Sequence, residues 1–140
     1  MRTVSPPSVD YAALHEFRYV IRGFLSFSEE AARNAGLDPQ QHQLILAIKA
    51  CDRGDGLTIG EAAHRLHLRH RTMVELVDRA IRNELVTRER DHLDRRVVRL
   101  RLTTHGEAVL RDLSAHHTRE LETAGPVLVR ALGTVIGQAS

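Results

Sequence analysis

The side chains in this sequence with the clearest chemical potential are the arginines in the middle of the chain. Residues 57–103 contain eleven Arg against seven Asp and Glu, a local net charge of +4 (11 − 7), whereas the whole chain carries +2. A GC-rich genome, which favours arginine codons, would account for much of the total arginine, but not for its concentration here. The guanidinium group is a planar fork of donors that matches phosphate oxygens and the edge of guanine. This local excess therefore predicts a surface that binds nucleic acid.

Two short helices and two strands are predicted to position these arginines. Residues 58–61, Thr-Ile-Gly-Glu, form a capping box, which predicts a helix over 59–66. A second helix is expected from residue 69 or 70 to Glu84. The period then becomes alternating, so 85–90 and 96–102 are predicted strands joined by a polar turn. Two helices with a tight turn between them, followed by a basic hairpin, are typical of a winged helix-turn-helix.

Longer helices are predicted on either side of this unit. Apolar residues spaced by three and four indicate a helix over 10–36. Asp38-Pro39 starts the next helix, with Asp38 as its N-cap, and Gly54-Asp55-Gly56 ends it. Residues 104–107, Thr-His-Gly-Glu, are interpreted as a second capping box that opens a long helix. Gly125-Pro126 is expected to break or kink that helix before a last apolar one.

The predicted fold class is therefore mainly α with a small β-hairpin wing. We expect a flexible arm at 1–9, because Pro6-Pro7 cannot lie inside a helix. Residues 37–106 are expected to form the winged helix-turn-helix DNA-binding domain. Residues 10–36 and 107–140 are expected to form dimerisation helices, since they carry more apolar residues than a small winged-helix core needs.

Six short motifs follow one another within this predicted domain. In chain order they are Leu57-Thr58, Ala62-Ala63 with Leu66, Val74 with Leu76-Val77-Asp78-Arg79, Leu85-Val86 with Arg88, Asp94 with Arg96, and Leu102-Thr103 with Gly106. The ordered set resembles the signature of the MarR family of transcriptional regulators. The resemblance implies a regulator of transcription, expected to be a repressor, that binds double-stranded DNA in a sequence-specific manner. It implies neither an enzyme nor a cofactor.

The second helix and the hairpin supply the candidate DNA contacts. The N-terminal residues of a recognition helix reach base edges in the major groove, and here the candidates are Arg69, His70, Arg71, Thr72 and Glu75. The hairpin arginines are expected to bind phosphate and the minor groove; these are Arg88, Arg90, Arg95 and Arg96. The resemblance implies that Arg96 enters the minor groove and that Asp94 orients it.

Two residues depart from the family pattern. Glu84 stands where the family usually has a glycine, which would support a left-handed helix end. We expect Asn83 to take that conformation instead. Arg69 stands where an acidic or small polar residue is common, and it is a poor N-cap. It is interpreted as a phosphate or base contact.

The resemblance also implies a homodimer on a pseudo-palindromic operator, with half-sites about one helical turn apart. A small phenolic or anionic effector is expected to bind between the dimer region and the winged domain, with Arg18, Arg22 and His42 as candidate contacts. No membrane partner is expected, because no apolar run reaches the ~18 residues of a membrane span. The N-terminus does not resemble a signal peptide and there is a single Cys, so a cytoplasmic location is expected.

Three alternatives remain open at this point. His64, His67 and His70, or the pair His116-His117, would suit a metal-responsive regulator, although the first set straddles the helix-turn-helix turn and no metal motif is present. Cys51 would suit a redox sensor, although its place on an apolar helix side favours the core. A winged-helix module for protein contact is the third, and the arginine-rich hairpin argues against it. The sequence has no phosphate loop, nucleophile elbow or paired carboxylates typical of an enzyme.

Overall fold

The structure is a computed structural model, and it describes residues 8–137. Residues 1–7 of the predicted arm and residues 138–140 of the predicted C-terminal segment lie outside the described residues. The helices are α1 (Tyr11–Asn34), α2 (Pro39–Cys51), α3 (Ile59–Leu66), α4 (His70–Arg82) and α5 (Thr104–Val135); the strands are β1 (Leu57–Thr58), β2 (Val86–Arg90) and β3 (Val98–Leu102). None of the described helices is long and apolar enough to cross a membrane. The mainly α fold with a small β wing is confirmed.

The chain divides into two compact units. We call residues 29–116 the winged unit. The described residues up to Ser28, together with those from His117 onward, form the terminal unit. Each unit is described by itself.

The helix starts of the winged unit follow from local hydrogen bonds. Asp38 caps α2, accepting from Gln41 N, while the Gln41 side chain accepts from Asp38 N, both at 3.0 Å. Thr58 and Glu61 form the same reciprocal pair at the start of α3. Both predicted N-caps are therefore confirmed, and each satisfies donors that the first helical turn leaves without partners.

The hairpin is part of a three-stranded antiparallel sheet in the order β1-β3-β2. The two-residue strand β1 was not predicted, because two residues show no alternation that could reveal a strand. It pairs Leu57 with Leu100 and Thr58 with Arg99. β1 therefore joins the inner half of β3 to the helical core.

An aliphatic core lies beneath the helix-turn-helix. Its largest fully buried side chains come from α2, α4, the sheet and the turn just before β2. They are Leu44, Ile45, Ile48, Leu57, Met73, Leu76, Val77, Leu85, Val86 and Leu100. Burial of this many aliphatic side chains is the main stabilising term for such a small unit. Cys51 is half-buried and packs against this core.

Two predictions about α5 are wrong. Its N-cap is Thr103, whose Oγ1 accepts from Gly106 N at 2.9 Å, and Glu107 instead pairs with Lys49 at 3.1 Å. Gly125-Pro126 was expected to break or kink the helix before a separate last helix, but there is no break, because α5 continues through Pro126. Proline removes one hydrogen bond from a helix, yet the helix runs without interruption from Thr104 to Val135.

The terminal unit packs the N-terminal part of α1 with the C-terminal part of α5. His117 lies against the edges of Phe24 and Phe27, with ring centroids 5.9 Å and 5.5 Å away. Its Nε2 is 2.7 Å from Ser28 Oγ. Thus one of the two adjacent histidines has a structural role within this unit, whereas His116 is exposed.

Candidate nucleic-acid interface

The N-terminus of α4 is open to solvent. Arg69 is the N-cap residue but makes no side-chain capping bond. It is exposed, as are His70, Arg71 and Glu75, and Thr72 is half-buried. The backbone N–H groups of a helix N-terminus favour phosphate. This end of α4 therefore presents two guanidinium groups beside free backbone donors.

The C-terminus of α4 ends in a Schellman motif with Glu84 in the left-handed conformation, at φ 58°. Glu84 N donates to Ile81 O at 2.9 Å, and Leu85 N donates to Ala80 O at 3.0 Å. The expectation for Asn83 is wrong, because its φ is −85°. The motif needs its left-handed residue at one fixed place, so Glu84 adopts that conformation although its side chain disfavours it.

The wing, defined as β2, β3 and the loop 91–97, carries Arg96 near its tip. Arg96 Nε donates to Asp94 Oδ1 at 3.0 Å, and Nη2 donates to Asp94 Oδ2 at 3.1 Å. The Arg96 side chain is nevertheless 91% exposed. The side-chain hydrogen bond from Arg96, followed by its backbone N–H, lowers the pKa of Asp94. The predicted Asp94–Arg96 pair is thus present, and the arginine points into solvent.

Asp91 organises the same loop. Its Oδ2 accepts from Leu93 N at 3.0 Å and from Asp94 N at 2.9 Å, while its Oδ1 accepts from Arg99 Nε at 2.7 Å. The Arg99 bond, followed by the backbone bond from Asp94, lowers the pKa of Asp91 to about 2. The loop is therefore held by a carboxylate that sequence reasoning missed. Its signal was an Asp three residues before Asp94, a spacing suited to an Asx turn.

Two other candidate arginines are engaged within the wing region. Arg88 Nη1 lies 3.1 Å from Asp78 Oδ1 of α4, and Arg90 Nη1 donates to Arg95 O at 2.7 Å. Among residues 8–137, the side chains of Arg69, Arg71 and Arg95 make no such bond. Their DNA-binding roles, and those of the other candidates, stay predictions.

The remaining candidates concern metal binding and effector binding. His64, His67 and His70 are exposed, and residues 8–137 hold no group of three or more His, Cys, Asp or Glu placed to bind a metal ion. Arg18 and Arg22 are exposed residues of the terminal unit, whereas His42 is buried in the winged unit.

A helix-turn-helix followed by an arginine-bearing hairpin, which pairs with a short strand before it in a three-stranded sheet, defines a winged helix-turn-helix protein. The comparisons place this chain within that class. Residues 35–97 match the model of the MarR family. The uncharacterized HTH-type transcriptional regulator YsmB of Bacillus subtilis (strain 168) is 42% identical over 57 residues, which are 41% of this chain and 39% of that protein.

Solved structures extend the likeness beyond the DNA-binding motifs. A MarR family protein from Bacillus stearothermophilus is 30% identical, with a TM-score of 0.68 over 81% of this chain and 80% of that one. The F27L mutant of MepR from S. aureus, bound to an oligodeoxyribonucleotide, has a TM-score of 0.67 at 21% identity over 95% and 86% of the two chains. The chain belongs to the MarR family of transcription regulators, which are DNA-binding proteins rather than enzymes.

Proposed function

We propose that this protein is a homodimeric, sequence-specific repressor that binds a pseudo-palindromic DNA operator and is released by a small effector. The observation that carries the DNA-binding part is the exposed Arg96 held in a fork by Asp94, on the wing of the same unit as the open N-terminus of α4. A forked guanidinium presented to solvent suits the narrow minor groove, which attracts arginine. MepR bound to an oligodeoxyribonucleotide supports this use of the fold.

In this proposal the two parts of the surface have different tasks. The α4 residues meet base edges in the major groove, while the wing meets phosphate and the minor groove. Arg69 and Arg71 are already without partners among residues 8–137, so they bind DNA without breaking an internal bond. Arg88 must exchange its pair with Asp78 for a phosphate, which lowers the net gain from that contact.

The homodimer is supported by the terminal unit. Large apolar side chains remain exposed along both of its helices, more than an isolated helix pair would leave to water, and they include Tyr11, Leu14, Tyr19, Leu25, Leu121, Val127, Val129, Leu132 and Val135. A second copy of the chain supplies a matching apolar surface, and twofold symmetry then places two α4 helices on two half-sites.

The effector proposal rests on Arg18 and Arg22 of the terminal unit. Arg22 lines a groove of about 510 Å³ within the terminal unit, together with Tyr19 and Phe24. A guanidinium beside aromatic rings suits an aromatic carboxylate. His42 belongs to the winged unit and is only 5% exposed, so it is a separate candidate that an effector would reach only after local opening. A thermal-shift series with salicylate-like acids tests this part, and no shift at millimolar ligand would contradict it.

Selection of bound duplexes from a random pool tests the rest. The expected product is a sequence with two inverted half-sites whose centres lie about one helical turn, ~10 base pairs, apart. Light scattering at micromolar protein gives the oligomeric state independently. Failure to enrich any duplex would contradict DNA binding, enrichment of one unrepeated half-site would contradict the symmetric mode, and a monomer would contradict the dimer.

A further inference from the structure

Strand β3 lies unusually close to the turn between α2 and β1, residues 52–56, which we call the core turn. Gly56 has φ +85°, and a Cβ placed on it would lie 3.0 Å from Leu100 O and 3.3 Å from Arg99 Cβ. A side chain there would be strained by the positive φ and would require β3 to move by a few tenths of an ångström. Asp52 Oδ1 shapes the core turn by accepting from Gly54 N and Gly56 N, both at 2.8 Å.

Arg99 joins the wing tip to this core turn. Its Nε donates to Asp91 Oδ1 at 2.7 Å, and its Nη1 lies 3.4 Å from Asp55 Oδ2. The Arg99 side chain is only 24% exposed, whereas that of Asp55 is 67% exposed. One guanidinium therefore spans two carboxylates, one in the tip loop and one in the core turn. A planar group with five donors can do this, whereas an ammonium group cannot reproduce the geometry.

Arg99 lies at the point along β3 where the pairing with β1 ends. Thr58 pairs with Arg99, and no residue of β1 pairs with β3 beyond it toward the tip. From Val98 outward the pairing is with β2 alone, as in Val98 with Arg90. Going toward the tip, Arg99 is thus the last residue of β3 that pairs with β1. Two-stranded ribbons twist easily, so a tie at this point controls where the tip lies.

Arg101 makes a second, weaker tie to the same turn. Its Nη2 donates to Gly54 O at 3.3 Å, and its Nη1 lies 4.0 Å from Asp52 Oδ2. The guanidinium also lies 3.7 Å from Glu89 Oε2 on β2. The two arginines on the polar face of β3 are therefore engaged by the protein's own carboxylates, and they are not free phosphate contacts.

We propose that Arg99 is a positioning residue for DNA binding: by linking Asp91 to Asp55 it fixes the direction in which the wing presents Arg96. This inference rests on the proposed function, in which Arg96 binds DNA. It differs from a direct role, in which Arg99 itself would bind phosphate and the carboxylates would compete with DNA. The positioning role predicts that loss of the Asp55 carboxylate weakens DNA binding, whereas the direct role predicts that it strengthens DNA binding.

The first test compares Asp55→Asn with Asp112→Asn, using a duplex that the wild-type protein selects from a random pool. Both variants remove one negative charge, and Asp112 is an exposed residue of α5 without an ion pair among residues 8–137. Asp55→Asn is expected to weaken binding about two- to fivefold, the effect of losing one partly exposed ion pair, while Asp112→Asn does not weaken it. Tighter or unchanged binding by Asp55→Asn would overturn the proposal.

Arg99→Lys keeps the positive charge but loses the fork. It is expected to weaken binding by a similar factor, with the salt dependence unchanged. Retention of wild-type affinity by Arg99→Lys would indicate a simple charge contact and would overturn the positioning role.

A double-mutant cycle separates positioning from a general loss of stability. An Arg96→Ala background lacks the side chain that Arg99 is proposed to aim, so Asp55→Asn is expected to change affinity there by less than about twofold. Additive effects would overturn the proposal.

Hydrogen exchange tests the link between Asp91 and Asp55 without DNA. The Asp91 and Val97 amides, bonded at 2.9 and 3.0 Å, should lose protection in Asp55→Asn, and unchanged protection would count against the proposal. If Arg96→Ala binds as tightly as wild type, the proposed function fails instead.

Discussion

Asp94 and Arg96 form two parallel hydrogen bonds, 3.0 Å and 3.1 Å long, while the arginine stays 91% exposed. Arg96 N also donates to Asp94 Oδ1 at 3.1 Å. A surface pair of this kind adds little to stability. In the proposed DNA complex its value is preorganisation, because a long arginine side chain that is already held loses less conformational freedom on binding.

Removing either member of this pair is therefore expected to impair DNA binding without unfolding the protein. Arg96→Ala should weaken binding to all duplexes and reduce the salt slope by about 1, the effect of one lost phosphate-region contact. Asp94→Asn should weaken binding less than Arg96→Ala does, since the positive charge of Arg96 remains. Titration at several salt concentrations measures both effects, with the exposed Arg111→Ala on α5 as the control of equal charge. A result in which Arg111→Ala matches Arg96→Ala would contradict a specific role for Arg96.

Arg71 is expected to set sequence preference. It is exposed near the start of α4, and a bidentate contact to guanine is worth about 1–3 kcal/mol of discrimination. Arg71→Ala should thus relax the preferred base at one position of each half-site and leave the other positions unchanged. Repeating the duplex selection with the variant measures this. An unaltered preferred sequence would remove Arg71 from the base contacts.

Glu84→Gly is expected to stabilise the protein. Glu84 holds φ 58° at the end of α4, and a left-handed residue other than glycine costs about 1 kcal/mol. Asn83→Gly is the matched control, because Asn83 has φ −85° and glycine there only adds freedom to the unfolded chain. Chemical denaturation should show a higher midpoint for Glu84→Gly and an equal or lower one for Asn83→Gly. The reverse order would contradict the strain at Glu84.

Gly106→Ala is expected to destabilise the protein. A Cβ on Gly106 would lie 2.1 Å from the carbonyl oxygen of Leu85, so α5 must move away from the start of the wing. Such overpacking costs about 1–3 kcal/mol. Gly60→Ala serves as the control, since the nearest atom to its Cβ would be 4.0 Å away. Equal unfolding free energies for the two variants would show that the contact is not limiting.

Asp91 is expected to make the wing sensitive to acid. Its pKa is about 2 in the folded protein, against an ordinary value of 3.8, chiefly because of the Arg99 bond. A lowered carboxyl pKa stabilises the fold above the unfolded value, and this contribution declines as the pH falls from about 4 to about 2. Wing amides should therefore exchange faster across that window once the intrinsic pH dependence is removed. Asp91→Asn should abolish this component; its persistence would assign it to another group.

Local patterns in the sequence were sufficient for most of the fold. The caps at Asp38 and Thr58 depend on neighbours three residues away, so their spacing predicted them correctly. The cap of α5 was misplaced by one residue, because Thr103 and Thr104 are adjacent threonines and the spacing of Thr104 and Glu107 imitates a capping box, whereas Thr103 makes the capping bond. The same holds for Glu84, which is left-handed because the Schellman bonds to Ala80 and Ile81 require it.

For the interface, the sequence by itself determined which residues are arginines and on which elements they lie, because helical and strand periods are local properties. Tertiary structure decided which of them are available. The alternation in 96–102 could not show that Arg99 and Arg101 face Asp55 and Asp52, more than forty residues earlier. Such pairs form only when β3 packs on the core turn, and their chemistry depends on distances that no sequence pattern encodes. The fork of Asp94 and Arg96, two residues apart, needed no such packing, and the resemblance to the MarR family motif was what predicted it.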